Sequence, residues 1–438
     1  MRLARQSPAG VVAFALLGGT ATARQAPAGG TDVGPRRVAL PAEATVVSTF
    51  DDLARLVGDP KGPAVIGLRA GTYRGDLLVR RPVTILGEAG ATLEGTGAST
   101  VVTIDADDVS LENVTIRHSG RRGTTEDAGV KAKGARARVA GVRVEDTLFG
   151  VIFEACRSCT LERVGVEGTA DDAELRGDGI KLWESHDSVV RGCVVDHARD
   201  VVVWYTRRAL VEGNVIRHSR YGTHFMYAHD SIARKNRLEG NVVGIFVMYS
   251  LRLTIEDNVL AGARGAAGMG LGFKESDAVR VRHNWIVANT TGTYLDNSPR
   301  TREQPVVFEG NVFALNDAAL RLHSGEQGAV FHGNDVRDNG ATIEVDGGGD
   351  ALGCDVRGNH FAEYEGYDLD GDGAGDVPFR VTALSSELAD QHPSLKFFHG
   401  TMAMHLVDAI AVAVPVLESH TLLEDRAPLF RAPEILPP

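Results

Sequence analysis

A short phrase recurs in this chain between about Cys193 and Asn359, its clearest copies being Glu212-Gly213-Asn214-Val215-Ile216, Glu256-Asp257-Asn258-Val259-Leu260 and Glu309-Gly310-Asn311-Val312-Phe313. The polar anchor of the phrase falls at Cys193, Asn214, Asn236, Asn258, Asn284, Asn311, Asn334 and Asn359, 21 to 27 residues apart. A drifting period in the low twenties, built from Val/Ile/Leu-rich runs between Gly/Asn turns, is the pattern of a solenoid. Each unit then buries its apolar face only by stacking on the next.

A leucine-rich horseshoe shares this period, but its Leu-x-x-Leu-x-Leu frame and its helical stretch are both missing. Each repeat instead carries a second short run entered by a small residue, as in Gly179-Ile180-Lys181-Leu182, Gly222-Thr223-His224-Phe225, Gly244-Ile245-Phe246-Val247 and Gly292-Thr293-Tyr294-Leu295. Two or three strands per repeat without a helix predict an all-β fold, a right-handed parallel β-helix. Asn at a fixed turn suits a ladder of side-chain amides, each bonding its counterpart one coil away at about 4.8 Å. Cys193 reads as a buried substitute on the first rung.

A solenoid grows by adding coils, so 438 residues need not divide into globular domains. The abundant Gly, 51 residues, and scarce aromatics fit a chain that must turn tightly in every coil. The expected layout is a leader at 1–23, a linker at 24–36, the β-helix at 37–364, an Asp/Gly-rich loop and connector at 365–393, and a helical tail at 394–438. Phe50 to Val57 reads as a short helix capping the first coil. Strand-like runs follow at Ala64–Leu68, Leu77–Val79, Thr84–Leu86 and Val101–Ile104.

Arg2 and Arg5, the apolar stretch Val11 to Leu17 and the small residues Ala21-Thr22-Ala23 make a secretory leader of the general type, cut after Ala23. The apolar run is too short to span a bilayer. Loss of Arg2 and Arg5 takes the formal charge from −12 to −14. An acidic exported protein without a basic stripe is a poor partner for nucleic acid. Cys156-x-x-Cys159 sits at a coil turn and not at a helix start. That setting leaves a structural role, a local disulfide and metal binding open.

Because strand side chains alternate, alignment on the small residue separates two faces. Ile180/Leu182, Val201/Val203, Thr223/Phe225, Ile245/Val247, Leu271/Phe273, Thr293/Leu295 and Leu320/Leu322 are expected to point inward. Lys181/Trp183, Val202/Trp204, His224/Met226, Phe246/Met248, Gly272/Lys274, Tyr294/Asp296 and Arg321/His323 are expected to point outward. Met226 and Met248 occupy equivalent places in successive coils, with His224 two residues before Met226 and His229 at the following turn. Two thioethers and an imidazole form a soft, neutral ligand set, matched to Cu(I) and not to Ca²⁺ or Mg²⁺. The same strip, with Trp183, Trp204, Tyr227, Phe246 and Tyr249, also reads as an apolar docking patch or a stacking platform for sugars.

Asp368-x-Asp370-x-Asp372-Gly373 with Asp376 matches the first part of a Ca²⁺ loop, but Phe379 stands where the bidentate Glu belongs. The tail brings Phe397, Phe398, Met402, Met404 and an apolar run to Leu417, expected as one or two helices that cap the last coil or dock on a membrane protein. His399 and His405 lie among them.

Gly222-Thr223-His224-Phe225-Met226-Tyr227, Gly244-Ile245-Phe246-Val247-Met248-Tyr249-Ser250, Gly270-Leu271-Gly272-Phe273-Lys274, Tyr294-Leu295-Asp296-Asn297-Ser298-Pro299 and Tyr367-Asp368-Leu369-Asp370-Gly371-Asp372-Gly373 run in one order. In that order they resemble the NosD family of nitrous oxide reductase maturation proteins. The resemblance covers the chain from about residue 40 to the tail. It implies a periplasmic β-helix with carbohydrate-binding/sugar-hydrolase-type repeats. It also implies work beside an ABC-type permease and its ATPase, a copper-chaperone lipoprotein and nitrous oxide reductase, in assembly of a copper–sulfide centre during denitrification. Membrane contact would then run only through the permease. The resemblance assigns no ligands; His224, Met226, Met248 and His229 come from spacing. A polysaccharide lyase, hydrolase or epimerase is the competing expectation, with Asp171, Asp172 and Asp178 near one loop. It lacks the Tyr-Gly-Phe-Asp-Pro-His sequence of the epimerases.

Overall fold

In each coil the chain makes three short strands separated by three corners. Leu210–Glu212, Val215–Arg217 and Tyr221–Met226 are one such coil. Their partners in the next coil are Ile232–Arg234, Arg237–Glu239 and Val243–Met248, paired in parallel and in register. Among the described residues, repetition of this step builds three parallel sheets of 14, 13 and 12 strands, the walls of a parallel β-helix. These are called the first, second and third sheet in the order a coil visits them. The computed structural model describes residues 33–438 except 170, 171, 173, 174, 385–387, 389–391, 399, 400 and 414–419. The expected leader, most of the linker, Asp171 and His399 lie outside the described residues, as do the side chains of Phe397 and His405.

The alternation read from the sequence is the alternation of burial. Ile180, Leu182, Val201, Val203, Phe225, Ile245, Val247, Leu271, Phe273, Leu295 and Leu322 are at most 1 % exposed, and they fill the bore. Within it Phe273 meets Phe308 edge to face at 5.8 Å, and Phe308 stacks on Phe331 at 4.7 Å with the rings nearly parallel. At the first open end, the helix Phe50–Gly58 starts on Thr49, whose hydroxyl accepts from the Asp52 amide, and turns Leu53 and Val57 onto the first coil. It is the expected cap, and it covers apolar surface that would otherwise end the solenoid in water.

The corners are held by side chains in files. At the corner between the first and second sheets, the anchor residue follows one in the left-handed region, such as Gly213 (φ 65°) or Asp257 (φ 55°). The amide of each Asn then reaches along the helix axis. Asn258 is fully buried; its Nδ2 donates to the Ala233 carbonyl and to Asn284 Oδ1, and its Oδ1 accepts from the backbone and side chain of Asn236. Cys193 ends the file, its backbone N–H donating to Asn214 Oδ1 while its thiol, pushed up to about 12 by burial, stays protonated.

Two further files went unread in the sequence. Asn289, Asn316 and Asn339 repeat the same bonds at the second corner. Ser185 and Thr206, and farther on Ser250, Ser276 and Ser298, do so with hydroxyls at the third. Cys156 stands in that third file and closes a disulfide with Cys159 across the corner, both sulfurs fully buried. This is the local-disulfide reading of the motif.

The tail departs from the expected helical plan in one part. Helix Met402–Ala413 is present, but the chain behind it is extended: His420–Asp425 pairs antiparallel with Phe379–Ala383. The physical reason is Asp425. Its fully buried carboxylate takes the rung beyond Asn359, accepting from the Asn359 backbone and Nδ2, and also from the Gly358 and Ala427 amides. The final residues then run back along the same corner, where the Trp285 indole N–H donates to the Leu436 carbonyl. At the other end Arg36 exchanges bonds with Asn113 on that corner too.

Replacing Asn258 by Ala leaves two buried donors of Asn236 without an acceptor. The expected loss is about 1–3 kcal/mol of stability, read from denaturant unfolding with the coil architecture retained by circular dichroism.

Candidate functional site

The outer face of the third sheet gathers the soft and aromatic side chains. Register places Met226 opposite Met248, and His224 opposite Phe246. Adjacent parallel strands lie about 4.8 Å apart, so the two thioethers neighbour one another. His224 turns across the strand gap until its Nε2 is 3.3 Å from the Met248 sulfur. With metal bonds of about 2.0 Å to nitrogen and 2.3 Å to sulfur, this separation subtends about 100° at a shared ion. Met226 lies on the same strand as His224 and is in register with Met248, so two thioethers and one imidazole gather here.

His224 is held neutral. Burial comes first among the causes that bring it down from 6.5 to about 4; Asp200 opposes the shift, and Arg220 and Arg199 add to it. Tyr221 and Phe246 flank its ring, with centroids at 4.9 and 6.1 Å. Gly272 makes room for the Phe246 ring: a Cβ there would stand 2.6 Å from Phe246 Cδ2 and 2.6 Å from the Met269 sulfur. Met269 thus adds a third thioether to this face, on the far side of Phe246 from His224. Sequence reading missed it because the alignment counted from the small residue before the strand, and Met269 precedes that residue.

His229 does not share the strand face. Fully buried Ala228 intervenes at the corner, and His229 Nδ1 accepts from the Leu251 amide at 3.1 Å. Its value too is lowered, by burial first and then by Arg207 and Arg252. Its structural place is with the corner.

Beside the sulfurs runs an aromatic file. Trp183 and Trp204 meet edge to face at 4.6 Å; Tyr205, Tyr227 and Tyr249 stack at 5.1 and 5.0 Å. The three tyrosines each take the left-handed corner position, with φ of 49–50°, so the coil repeat itself stacks their rings. Tyr205 escaped the sequence reading although its spacing to Tyr227 and Tyr249 is constant at 22 residues. Lys181 does not point freely outward as expected: it is 6 % exposed, pairs with Glu126 and lies 5.1 Å over the Trp183 ring. Val202 is likewise covered.

The other expected groups fall elsewhere. Asp178 is buried beside Arg199 at 2.9 Å, and burial, the leading cause, raises its value. Tyr294 and His323 touch at 3.1 Å farther along the third sheet, but the cations there are already taken. Lys274 holds Asp296 at 3.1 Å and Arg321 holds Asp346 at 2.8 Å. With Glu344 alongside, three carboxylates face two cations. Asp368, Asp370 and Asp372 do gather their carboxylates, but these accept from loop amides at Gly371, Gly373, Asp372 and Ala374, and Asp376 accepts from Leu369. On helix Met402–Ala413, Met402, Leu406 and Ile410 are 87, 61 and 46 % exposed on one stripe, while Met404 is 7 % exposed and packs inward. Phe398 is about half exposed. Among the described residues no helix is long and apolar enough to cross a membrane.

Fold and site together define a parallel β-helix with a soft-ligand and aromatic strip on one outer wall. The A-module of a mannuronan C-5 epimerase from Azotobacter vinelandii shares the fold, with a TM-score of 0.52 at 15 % identity over 67 % of this chain and 89 % of that one. The model of the family described as periplasmic copper-binding protein (NosD) matches residues 163–366. A Pseudomonas aeruginosa protein named probable ABC transporter binding protein NosD is 27 % identical over 84 % of this chain and 89 % of its own length. A Stutzerimonas stutzeri protein of the same name is 25 % identical over 85 % and 88 %. This chain belongs to the NosD family.

His224 binds fewer protons in the folded chain than in the unfolded one between its folded value, about 4, and its ordinary 6.5. It therefore withdraws stability as pH falls through that window and contributes none above it. Proton NMR titration of the His224 ring is expected to show a midpoint near the lower value, and a midpoint at the ordinary value would mean the ring is solvated.

Proposed function

We propose that this protein is a periplasmic accessory factor of an ABC-type transporter that takes up copper as Cu(I) and passes it on during assembly of the copper–sulfide centre of nitrous oxide reductase. The observation that carries the proposal is the 3.3 Å approach of His224 Nε2 to the Met248 sulfur, with Met226 in register beside it. All three ligands are neutral, so the site selects a soft monovalent ion over Ca²⁺ or Mg²⁺. Few ligands on an open wall also suit a cargo site, since donor and acceptor proteins must both reach the ion. The family description and the relatives' names support the copper and transporter parts of this reading. A copper-chaperone lipoprotein as donor and the reductase as recipient follow from the same reading.

The helix Met402–Ala413 is proposed as the contact with the permease. Met402, Leu406 and Ile410 at intervals of four make one exposed apolar stripe, the pattern by which a helix lies in another protein's groove. A second reading, glycan binding, rests on the Trp183/Trp204 pair and the stacked tyrosines, which could seat sugar rings.

Changing Met226 and Met248 together to Leu preserves volume and apolarity while removing both sulfurs. Competitive titration is expected to show Cu(I) binding weakened by about tenfold or more, with transporter pull-down unchanged. Equal affinity would remove the site. The triple change Met402→Glu, Leu406→Glu, Ile410→Glu should give the opposite pattern, with copper affinity kept and co-purification with the permease lost. Glycan-array binding that survives the sulfur changes and is lost on Tyr227→Ala would favour the second reading.

A further inference from the structure

We propose that Asp196, His197 and His218 form a second metal site, for a divalent ion of the Cu(II) class, at the corner between the second and third sheets. It rests on side chains that the soft site does not use. Asp196 ends the strand Val194–Asp196; His197 and His218 follow at the same corner in successive coils, with φ of 54° and 49°. The corner geometry brings their rings to 4.7 Å. Both Nδ1 atoms converge on one oxygen: Asp196 Oδ1 lies 2.7 Å from His197 and 2.8 Å from His218.

Three features separate this group from an ordinary surface ion pair. Neighbouring acids are taken by arginines on adjoining coils: Asp178 by Arg199, Asp187 by Arg208, Asp200 by Arg220, Asp230 by Arg252 and Glu212 by Arg191 and Arg234. Asp196 has only the two imidazoles among the described residues. His118, His283, His332 and His360 each meet an acid singly, whereas here two rings share one oxygen. Lastly, His197 Nδ1 is buried and makes no aligned hydrogen bond despite its closeness to the carboxylate.

The separations are those of hydrogen bonds, and a shared ion would draw on the same three donors. Metal bonds of about 2.0 Å to nitrogen and 2.1 Å to oxygen turn such separations into an angle of about 85° at the ion. That is the cis angle of a tetragonal N,O centre, the preference of Cu(II), and is narrow for tetrahedral zinc. Two neutral imidazoles and one carboxylate make a borderline donor set with one negative charge. The thioether site has neither property, so the two sites would sort copper by oxidation state.

The test is Cu(II) titration of the mature protein followed by electron paramagnetic resonance, with Zn(II) as competitor. A single axial Cu(II) signal with coupling to two nitrogens is expected. It should disappear in the His197→Asn, His218→Asn double variant, since Asn accepts the left-handed φ but is a weak ligand. Asp196→Asn should weaken binding by about tenfold, and the Met226→Leu, Met248→Leu protein should keep the signal unchanged. A wild type without a nitrogen-coupled site, or a histidine variant with the same stoichiometry and spectrum, would overturn the proposal. Failure of the soft site alone would leave it standing.

Discussion

Every coil of this molecule must turn three corners, and each corner places backbone amides where water cannot reach them. Buried N–H and C=O groups left unpaired would cost more than the coil gains by stacking. The files of Asn, Ser and Thr along the corners meet this requirement, each side chain serving the backbone of the neighbouring coil. Because the partner is always one coil away, the files also set the register of all three sheets. A shift of one residue would put the bore residues outside. The buried Asp425 shows how strong the constraint is: the tail returns from a helix to supply the last acceptor.

Fixed register is what gives the outer wall its chemistry. Side chains equivalent in the coil are stacked whatever they are, so a change of residue type from coil to coil writes a pattern along the wall. Three tyrosines at one corner become a stack, two methionines on one strand position become neighbouring sulfurs, and two histidines at another corner meet over one carboxylate. On the same strip Lys274 pairs with Asp296 and Arg321 with Asp346.

Arg36 lies on Asn113 at the Asn corner, and the last residues run along that corner as far as Trp285. The third sheet, which carries the sulfurs and the aromatic file, forms another wall of the coil. Helix Met402–Ala413 is joined through Phe379–Ala383 and His420–Asp425 to the final coil, and so the exposed stripe of Met402, Leu406 and Ile410 belongs to one end of the solenoid. In the proposed function, contact with the permease and custody of the ion are thereby tasks of separate parts of the chain.

The sequence by itself determined the solenoid, its capping helix, the inward and outward alternation and the first Asn file, because each is a matter of period and residue type. It also determined that Met226 and Met248 are neighbours, since equal place in the coil means contact. What only the tertiary structure decided were the terms that depend on side-chain direction and on partners distant in sequence. The approach of His224 to Met248 in preference to Met226, its neutrality through burial, and the assignment of His229 to the corner are of this kind. So are the Cys156–Cys159 disulfide, the inward turn of Met404, and the convergence of His197 and His218 on Asp196. Period fixes which residues are stacked; rotamers, burial and charge partners fix what the stacked residues can hold.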